Sequence, residues 1–265
     1  MPQPSTDPVV FGVLNVTPDS FSDGGRFLDP DAAVAHGLGL VRAGADVVDV
    51  GGESTRPGAQ PVDLEEEARR VLPVVAGLVA AGVRVSIDTR HAAVAAVAVE
   101  AGAAVVNDVD GGRDAELLRV AAEAGVDLVL MHSRGPSASE GGYDDVVREV
   151  AADLRARVDA ALDAGVPAER LVVDPGIGFS KTGAENWRLL AHLEALRIDD
   201  LRMLVGVSRK RFLGELVQGA PEERDGVTAV LSALLAERRV WGLRVHDPAA
   251  TRAAIEVVRR MRVAA

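Results

Sequence analysis

Short apolar runs alternate with longer stretches of helical periodicity along the whole chain. The runs are rich in Val, Ile and Leu and nearly continuous, which is typical of parallel strands covered on both faces. Helical patterns separate them, for example residues 31–44, 63–82 and 145–165. The strands that this pattern predicts are residues 9–16, 46–52, 83–89, 104–109, 126–132, 171–176, 203–208 and 242–247.

The repeated unit of helix, glycine and strand predicts an α/β fold, a single-domain (β/α)8 TIM barrel. Glycine just past a helix is the usual left-handed stop, and here each stop is followed within a few residues by the next strand. A doubly wound sheet is the structural alternative, but eight predicted strands without a reversal signal favour closure. No long linker divides the chain, so residues 9–265 are expected to form one barrel domain after a disordered or extended N-terminus, residues 1–8. The glycines are Gly44, Gly82, Gly102, Gly125 and Gly165.

Composition narrows the class of protein. The 265 residues are 48% hydrophobic, enough for a substantial core, and their net charge of −11 argues against a nucleic-acid partner. There is no cysteine, which excludes disulfides and Cys-based metal or redox sites. The N-terminus lacks a signal-peptide pattern, and no apolar run approaches the roughly 18 residues of a membrane span. A cytoplasmic protein without a membrane partner is therefore expected.

Polar residues fall at the ends of the predicted strands, and in a barrel the C-terminal ends of the strands form the active site. Strand-to-helix turns also carry Asp, Asn or Ser as helix caps, so a structural role stays open at each position. The residues at these ends are Asn15, Glu53, Asp88, Asn107, Asp108, His132, Asp174, Ser208, Arg244, His246 and Asp247.

Three of these residues could present hydrogen-bonding groups to one flat heterocycle. Asp88 could instead cap the next helix, although Thr89 is better placed to do so. Asn107 and Asp108 precede a Gly-Gly turn, which one of them is expected to stabilise. Asp174 ends an apolar strand, where a carboxylate is costly unless donors surround it. Asp88, Asn107 and Asp174 are therefore candidates for a shared ligand site.

The cations indicate an anion site. The segment SRKRF, residues 208–212, places three cations at the start of a predicted helix, where the helix dipole disfavours them. A solvated charge run is the alternative. Arg244 and His246 alternate at the end of the last strand, so both side chains point the same way. With Arg56 they could hold a phosphate or pyrophosphate. No glycine-rich nucleotide motif is present, and the histidines lack zinc-ligand spacing.

Seven segments together resemble the dihydropteroate synthase family of pterin-binding TIM-barrel enzymes, in the order and spacing of that family. The resemblance implies a transferase of folate biosynthesis that condenses 6-hydroxymethyl-7,8-dihydropterin diphosphate with 4-aminobenzoate by an SN1-like course. Dihydropteroate and pyrophosphate would be the products, Mg²⁺ the cofactor, sulfonamides the inhibitors and a homodimer the assembly. The segments are NVTPDSFSDGG, GGESTRPG, SIDT, NDV, DPGIGF, SRKRF and RVHD.

The same resemblance implies the roles of individual residues. The catalytic residues it implies are Asp19, Lys210 and Arg56. Those that bind the pterin are Asp88, Asn107, Met131, Asp174 and Lys210. Those that bind pyrophosphate are Arg56, Arg244 and His246, and the Mg²⁺ ligand is Asn15. Those around the aminobenzoate are Phe21, Ser22, Thr55, Pro57, Phe179 and Arg211.

Two other functions share part of this pattern. A methyltetrahydrofolate-dependent corrinoid methyltransferase would use similar pterin-binding acids but has no need of SRKRF, RVHD or the first loop. A catalytically silent paralogue would bind a pterin without turnover. Intact Asn15, Asp19, Arg244 and His246 speak against the silent paralogue.

Overall fold

A closed barrel of parallel strands forms the centre of the molecule. The computed structural model describes residues 7–17, 29–53, 62–135 and 140–264, and in these residues the strands pair in sequence order, with the last closing on the first. The predicted TIM barrel is confirmed, and the doubly wound alternative is wrong. The strands are β1 Val9–Asn15, β2 Val47–Gly51, β3 Val85–Asp88, β4 Val105–Asp108, β5 Asp127–Met131, β6 Leu171–Asp174, β7 Arg202–Val205 and β8 Gly242–Val245.

An α-helix follows each strand and packs on the outside of the barrel. The glycines predicted to stop helices all have positive φ, between 64° for Gly125 and 109° for Gly44, so the predicted left-handed stops are confirmed. In the described part of the chain, every helix is too short or too polar to traverse a lipid bilayer. The helices are α1 Pro30–Arg42, α2 Leu64–Ala80, α3 Ala92–Glu100, α4 Ala115–Ala124, α5 Val146–Asp163, α6 Gly183–Ala191, α7 Asp225–Glu237 and α8 Pro248–Ala264.

The barrel interior changes from apolar to polar along the strands. Alternate residues of a strand point inward, so positions two apart share the interior. A closed apolar layer fills the N-terminal end of the interior, and the next inward positions towards the C-terminal ends include Asp49, Asn107 and Asp174. The apolar layer supports a polar mouth from below. The layer consists of Phe11, Val47, Val105, Val129, Val172 and Leu204.

The sequence pattern predicted that SRKRF begins a helix, but this segment does not begin an α-helix. It leads into a five-residue 3₁₀-helix, Arg211–Glu215, and α7 begins only at Asp225. A single short turn carries little helix dipole, so the electrostatic penalty expected for the three cations is small. Their placement must be explained by their individual contacts.

Candidate active site

A pocket opens at the C-terminal mouth of the barrel. The strand register explains why predicted residues meet there, because Asp88 pairs with Asn107 across β3 and β4, and Met131 pairs with Asp174 across β5 and β6. The pocket is lined by Asn107, Val109, Met131, Asp174, Gly176, Ile177, Phe179, Gly206, Lys210 and Arg244. Four of the five residues predicted to bind a pterin therefore line one cavity, and the fifth, Asp88, contacts its Arg244.

Arg244 bridges two acids in the interior. Its Nε donates to Asp49 Oδ2 at 2.5 Å, and its Nη2 forms an ion pair with Asp88 Oδ2. Asn107 Nδ2 donates to the same oxygen of Asp49 at 3.2 Å. Asp49 therefore orients both an amide and a cation of the pocket. The sequence analysis missed Asp49, because it lies within the apolar run of β2 instead of at its end.

The acids of the pocket titrate close to neutral pH. Burial raises the pKa of Asp88 to about 7, against the opposing charge of Arg244. Burial also raises the pKa of Asp174 to about 6, although the backbone N–H of Gly176 donates to its carboxylate at 2.7 Å. Burial alone would lower the pKa of Arg244, but the charges of Asp49 and Asp88 outweigh it and raise that pKa. Arg244 is thus a fixed cation near Asp88 and Asp174, which can change protonation.

Lys210 connects these acids to an aromatic wall. Burial lowers the pKa of Lys210 to about 8, and the nearby charge of Arg244 acts in the same direction. Its Nζ lies 3.8 Å from the centre of the Phe179 ring, a cation–π contact. One side chain therefore faces both the predicted pterin region and a predicted aminobenzoate contact.

The three cations of SRKRF make three different sets of contacts. Arg209 has a φ of 58° and binds Asp225 of α7 through two hydrogen bonds of 2.8 and 2.7 Å. Lys210 lines the pocket, whereas Arg211 is largely exposed and forms an ion pair with Glu140. The segment is therefore not a uniformly solvated run. The assignment of Arg211 to the aminobenzoate carboxylate stays a prediction.

The capping alternatives are resolved by hydrogen bonds. Asp108 accepts from the backbone N–H groups of Asp110 and Gly112, at 2.8 and 2.5 Å, so it is the residue that stabilises the turn. Thr89 Oγ1 accepts from the N–H of the residue that precedes α3, at 3.1 Å. Asp88 and Asn107 are consequently free of capping roles, as the sequence analysis favoured.

Two further predicted residues, Asn15 and His246, lie at the rim of the mouth. His246 Nδ1 is 3.0 Å from Ser208 Oγ, and Asn15 ends β1 beside Gly51, with its side chain half-buried. The amide oxygen of Asn15 is a hard donor and fits an Mg²⁺ ion that takes its other ligands from substrate oxygens and water. The predicted residues that lie outside the described part of the chain are Asp19, Phe21, Ser22, Thr55, Arg56 and Pro57.

A second polar cluster lies behind the mouth. Glu53, Glu67 and His91 place one oxygen or nitrogen each within 4.8 Å of one another. Arg90 binds both carboxylate oxygens of Glu53, at 3.0 and 3.3 Å, and His91 Nδ1 lies 2.6 Å from Glu67 Oε2. These contacts form an ion-pair network that joins β2, α2 and the start of α3, and they leave Glu67 Oε1 buried without a hydrogen-bond partner.

The fold and the site define a barrel enzyme that binds a small polar ligand among buried acids at its C-terminal mouth. The family model described as "Pterin binding enzyme" matches residues 11–246. A dihydropteroate synthase of Mycobacterium leprae is 54% identical over 260 residues, which cover 94% of this chain and 92% of that relative. The chain belongs to the pterin-binding enzyme family and, within it, to the dihydropteroate synthases, which are transferases.

Solved structures agree with this placement. A dihydropteroate synthase of Xanthomonas albilineans with 4-aminobenzoic acid is 47% identical, with a TM-score of 0.92, over 97% of this chain and 93% of that chain. A Yersinia pestis dihydropteroate synthase in a sulfonamide drug complex is 39% identical, with a TM-score of 0.91, over 97% of this chain and 95% of that chain. The predicted family is confirmed, and the corrinoid methyltransferase alternative is not supported.

Proposed function

We propose that the pocket at the mouth binds the pterin diphosphate and that 4-aminobenzoate binds beside it, against Phe179 and Lys210. The observation that carries this proposal is the convergence of Asn107, Met131, Asp174 and Lys210 on one cavity, with Asp88 held at its edge by Arg244. These groups supply carboxylate acceptors, an amide, a thioether and a cation around one buried space. That set suits a flat heterocycle with both donors and acceptors along its edge.

The reaction needs charge stabilisation more than a general base. The bond between the pterin methylene carbon and the diphosphate oxygen breaks, and both bonding electrons leave with pyrophosphate. The amine nitrogen of aminobenzoate is an uncharged nucleophile at neutral pH, so it attacks the methylene carbon and then loses one proton to solvent. Arg244 and His246, with the predicted Arg56, stabilise the leaving pyrophosphate. Asp88, Asp174 and the predicted Asp19 stabilise the positive charge that develops on the pterin.

Mg²⁺ fits the rim of the pocket, where Asn15 is the proposed protein ligand. When bound, the ion neutralises charge on the diphosphate and favours its departure. Asn15 ends a rigid strand of the barrel, so its amide oxygen is held in place before the substrate arrives. Asn15 therefore fixes the ion's position while most of its ligands come from substrate and water.

Purified chain supplied with pterin diphosphate, 4-aminobenzoate and Mg²⁺ is expected to release pyrophosphate and form dihydropteroate. A coupled pyrophosphate assay and chromatography of the product measure this. Sulfonamides are expected to inhibit competitively with aminobenzoate, because they share its aniline group. Omission of aminobenzoate serves as the control. Pterin binding without pyrophosphate release in the complete mixture would identify a silent paralogue and contradict the proposal.

We also propose a cytoplasmic homodimer that assembles through α7 and α8. These neighbouring helices expose large apolar side chains one helical turn apart, Val230 with Leu234 and Val257 with Met261. Their exposed fractions lie between 57% and 68%. A patch of this kind on paired helices is typical of a protein interface. A second copy of this chain is the proposed occupant, because such a self-complementary apolar face closes a twofold dimer.

The double substitution Leu234→Glu with Met261→Glu is expected to convert the dimer to a monomer. Two carboxylates in an apolar interface would lose their hydration without gaining partners. Sedimentation velocity measures the change in mass. Leu162→Glu on α5 is a matched control, because this side chain is also exposed but lies elsewhere on the barrel. A wild-type monomer at micromolar concentration would show that this surface has another role.

A further inference from the structure

The loop of residues 175–181, which follows β6, forms a wall between two cavities. Gly176, Ile177 and Phe179 face the active-site pocket. On the other side lies a cavity of about 540 Å³, lined by Gly178, Lys181, Asn186, Glu140, Gly183, Arg211, Phe212 and Glu215.

The backbone of this loop enters the left-handed region three times, without strain at its two glycines and at some cost at Ser180. Gly176, Gly178 and Ser180 all have positive φ, of 63°, 83° and 52°, and Ser180 adopts the left-handed region without being a glycine. A Cβ on Gly176 would lie 1.9 Å from the carbonyl oxygen of His132, so the loop also approaches β5 very closely. A conformation of this kind persists only where surrounding groups hold it.

Lys181 supplies one set of such groups. Its side chain is 2% exposed, and its Nζ lies 2.8 Å from Gly176 O, 3.0 Å from Phe179 O and 2.9 Å from His132 Nδ1. Burial lowers the pKa of Lys181 to about 7. In its protonated form the group has three N–H donors and no acceptor, so each proton has a partner. The side chain thus ties both ends of the Phe179 turn to β5.

His132 completes the arrangement. Burial lowers the pKa of His132 to about 2, and the charge of Lys181 acts in the same direction, so the imidazole is neutral. Because Nδ1 accepts from Lys181, the ring proton is on Nε2, which lies 3.6 Å from Asp153 Oδ2 on α5. The contact between Lys181 and His132 is therefore a donor meeting an acceptor.

Asn186 holds the same loop from α6. Its Oδ1 accepts from the N–H of Gly178 at 2.7 Å, and its Nδ2 donates to Lys181 O and Thr182 O at 3.3 and 2.8 Å. The side chain is 1% exposed. The backbone between Gly176 and Thr182 is therefore held at five points by two buried side chains.

We propose that Lys181 and Asn186 are positioning residues that set the Phe179 wall against Lys210 and so determine the affinity for 4-aminobenzoate. This inference rests on the proposed function, in which Phe179 contacts that substrate. Neither residue lines the active-site pocket, and both hold the backbone of the loop that carries Phe179, so we expect their effect to reach the substrate through that loop. The 3.8 Å contact of Lys210 Nζ with the Phe179 ring is the geometry that they maintain.

Lys181→Met keeps the length of the side chain and removes its three donors, and Asn186→Ala removes the second set of bonds. For both variants we expect the KM for aminobenzoate to rise about ten-fold, because small displacements of a positioning group have large kinetic effects. The KM for pterin diphosphate should stay within about two-fold in Asn186→Ala, which leaves the charge of Lys181 near Asp174 unchanged. A crystal structure of either variant should show the Phe179 ring displaced from Lys210.

Two further variants make the outcome decisive. Thr182→Ala removes the capping box of α6 and should lower Tm by about 2–4 °C without changing either KM, which separates stability from positioning.

Phe179→Ala tests the proposed function itself. If Phe179→Ala raises the aminobenzoate KM but Lys181→Met and Asn186→Ala do not, the positioning role is wrong and the proposed function stands. If Phe179→Ala leaves the aminobenzoate KM unchanged, the proposed contact of Phe179 with aminobenzoate is wrong, and the positioning role that rests on it is wrong too. An equal rise in both KM values in Asn186→Ala would also overturn the inference.

Discussion

Arg244→Met is expected to lower the free energy of unfolding by about 3–5 kcal/mol at neutral pH, because it removes one partner from a buried ion pair. Asp49 and Asp88 both bind this guanidinium and would be left as carboxylates without a cation in the barrel interior. The kcat/KM for pterin diphosphate should fall at least about 100-fold, because the acids and the proposed contact to pyrophosphate lose their arrangement together.

The stability loss should depend on pH in a defined direction. Asp88 already has a folded-state pKa of about 7, raised by burial above its ordinary value of 3.8, and Arg244 opposes this increase. In the variant the pKa rises further, so the folded state binds more protons than the unfolded state across a wider range. Both proteins should therefore gain stability as pH falls from about 7 towards about 4, and the loss caused by the substitution should grow as pH rises above about 7. Chemical denaturation at several pH values measures this dependence.

Arg202→Met is the matched control for this substitution. Arg202 binds buried Asp127 at the opposite end of the barrel, but Arg84 and Arg170 also contact that carboxylate. Its removal leaves Asp127 with two cations, so the stability loss should be smaller and the activity unchanged. An Arg244→Met enzyme as active as the wild type would show that the bridged acids do not belong to the active site.

Lys210→Met is expected to lower kcat/KM by about 10²–10³, because it removes the cation proposed to contact both substrates. Its fold should be retained, since burial of the Lys210 charge is unfavourable and lowers its pKa to about 8. Because the proposed role needs the charged form, wild-type activity should fall as pH rises through about 8. The variant should lack this decrease.

The conservative substitution Lys210→Arg separates charge from geometry. Arginine stays protonated throughout the accessible pH range, so the alkaline decrease of activity should disappear even where the activity is reduced. The stability of the wild-type protein should depend on pH in the opposite direction to its activity. Between about pH 8 and the unfolded-state pKa, the folded lysine loses its proton first, so wild-type stability should increase with pH in that range. If the activity of Lys210→Met still falls as pH rises through about 8, the decrease must be due to another titrating group.

The sequence predicted the barrel because its signals are local. Val, Ile and Leu runs define strands, and a glycine such as Gly125 ends a helix at a position that only the left-handed conformation satisfies. The polar strand ends were predicted for the same reason, since Asp88 and Asn107 are adjacent in register once the strands are parallel. Local pattern and strand order were enough to place them.

The residues that sequence reasoning missed depend on contacts far apart along the chain. Asp49 lies within an apolar strand, and only the closed barrel brings it against Arg244, 195 residues away. Lys181 reaches His132 across 49 residues from a loop with no strand or helix pattern of its own. For Asp49, the available signal was a single Asp within a Val-rich run. For Lys181, nothing in the sequence distinguishes a buried lysine from a surface one.

The loop that carries Phe179 is joined to β5 through His132 and to α6 through Asn186. Surface loops usually fluctuate within nanoseconds to microseconds, independently of the elements beside them. A loop fastened to two elements opens only when they open, and so belongs to a slow cooperative unit of the barrel. We therefore expect substrates and product to enter and leave past Phe179 without opening of this loop.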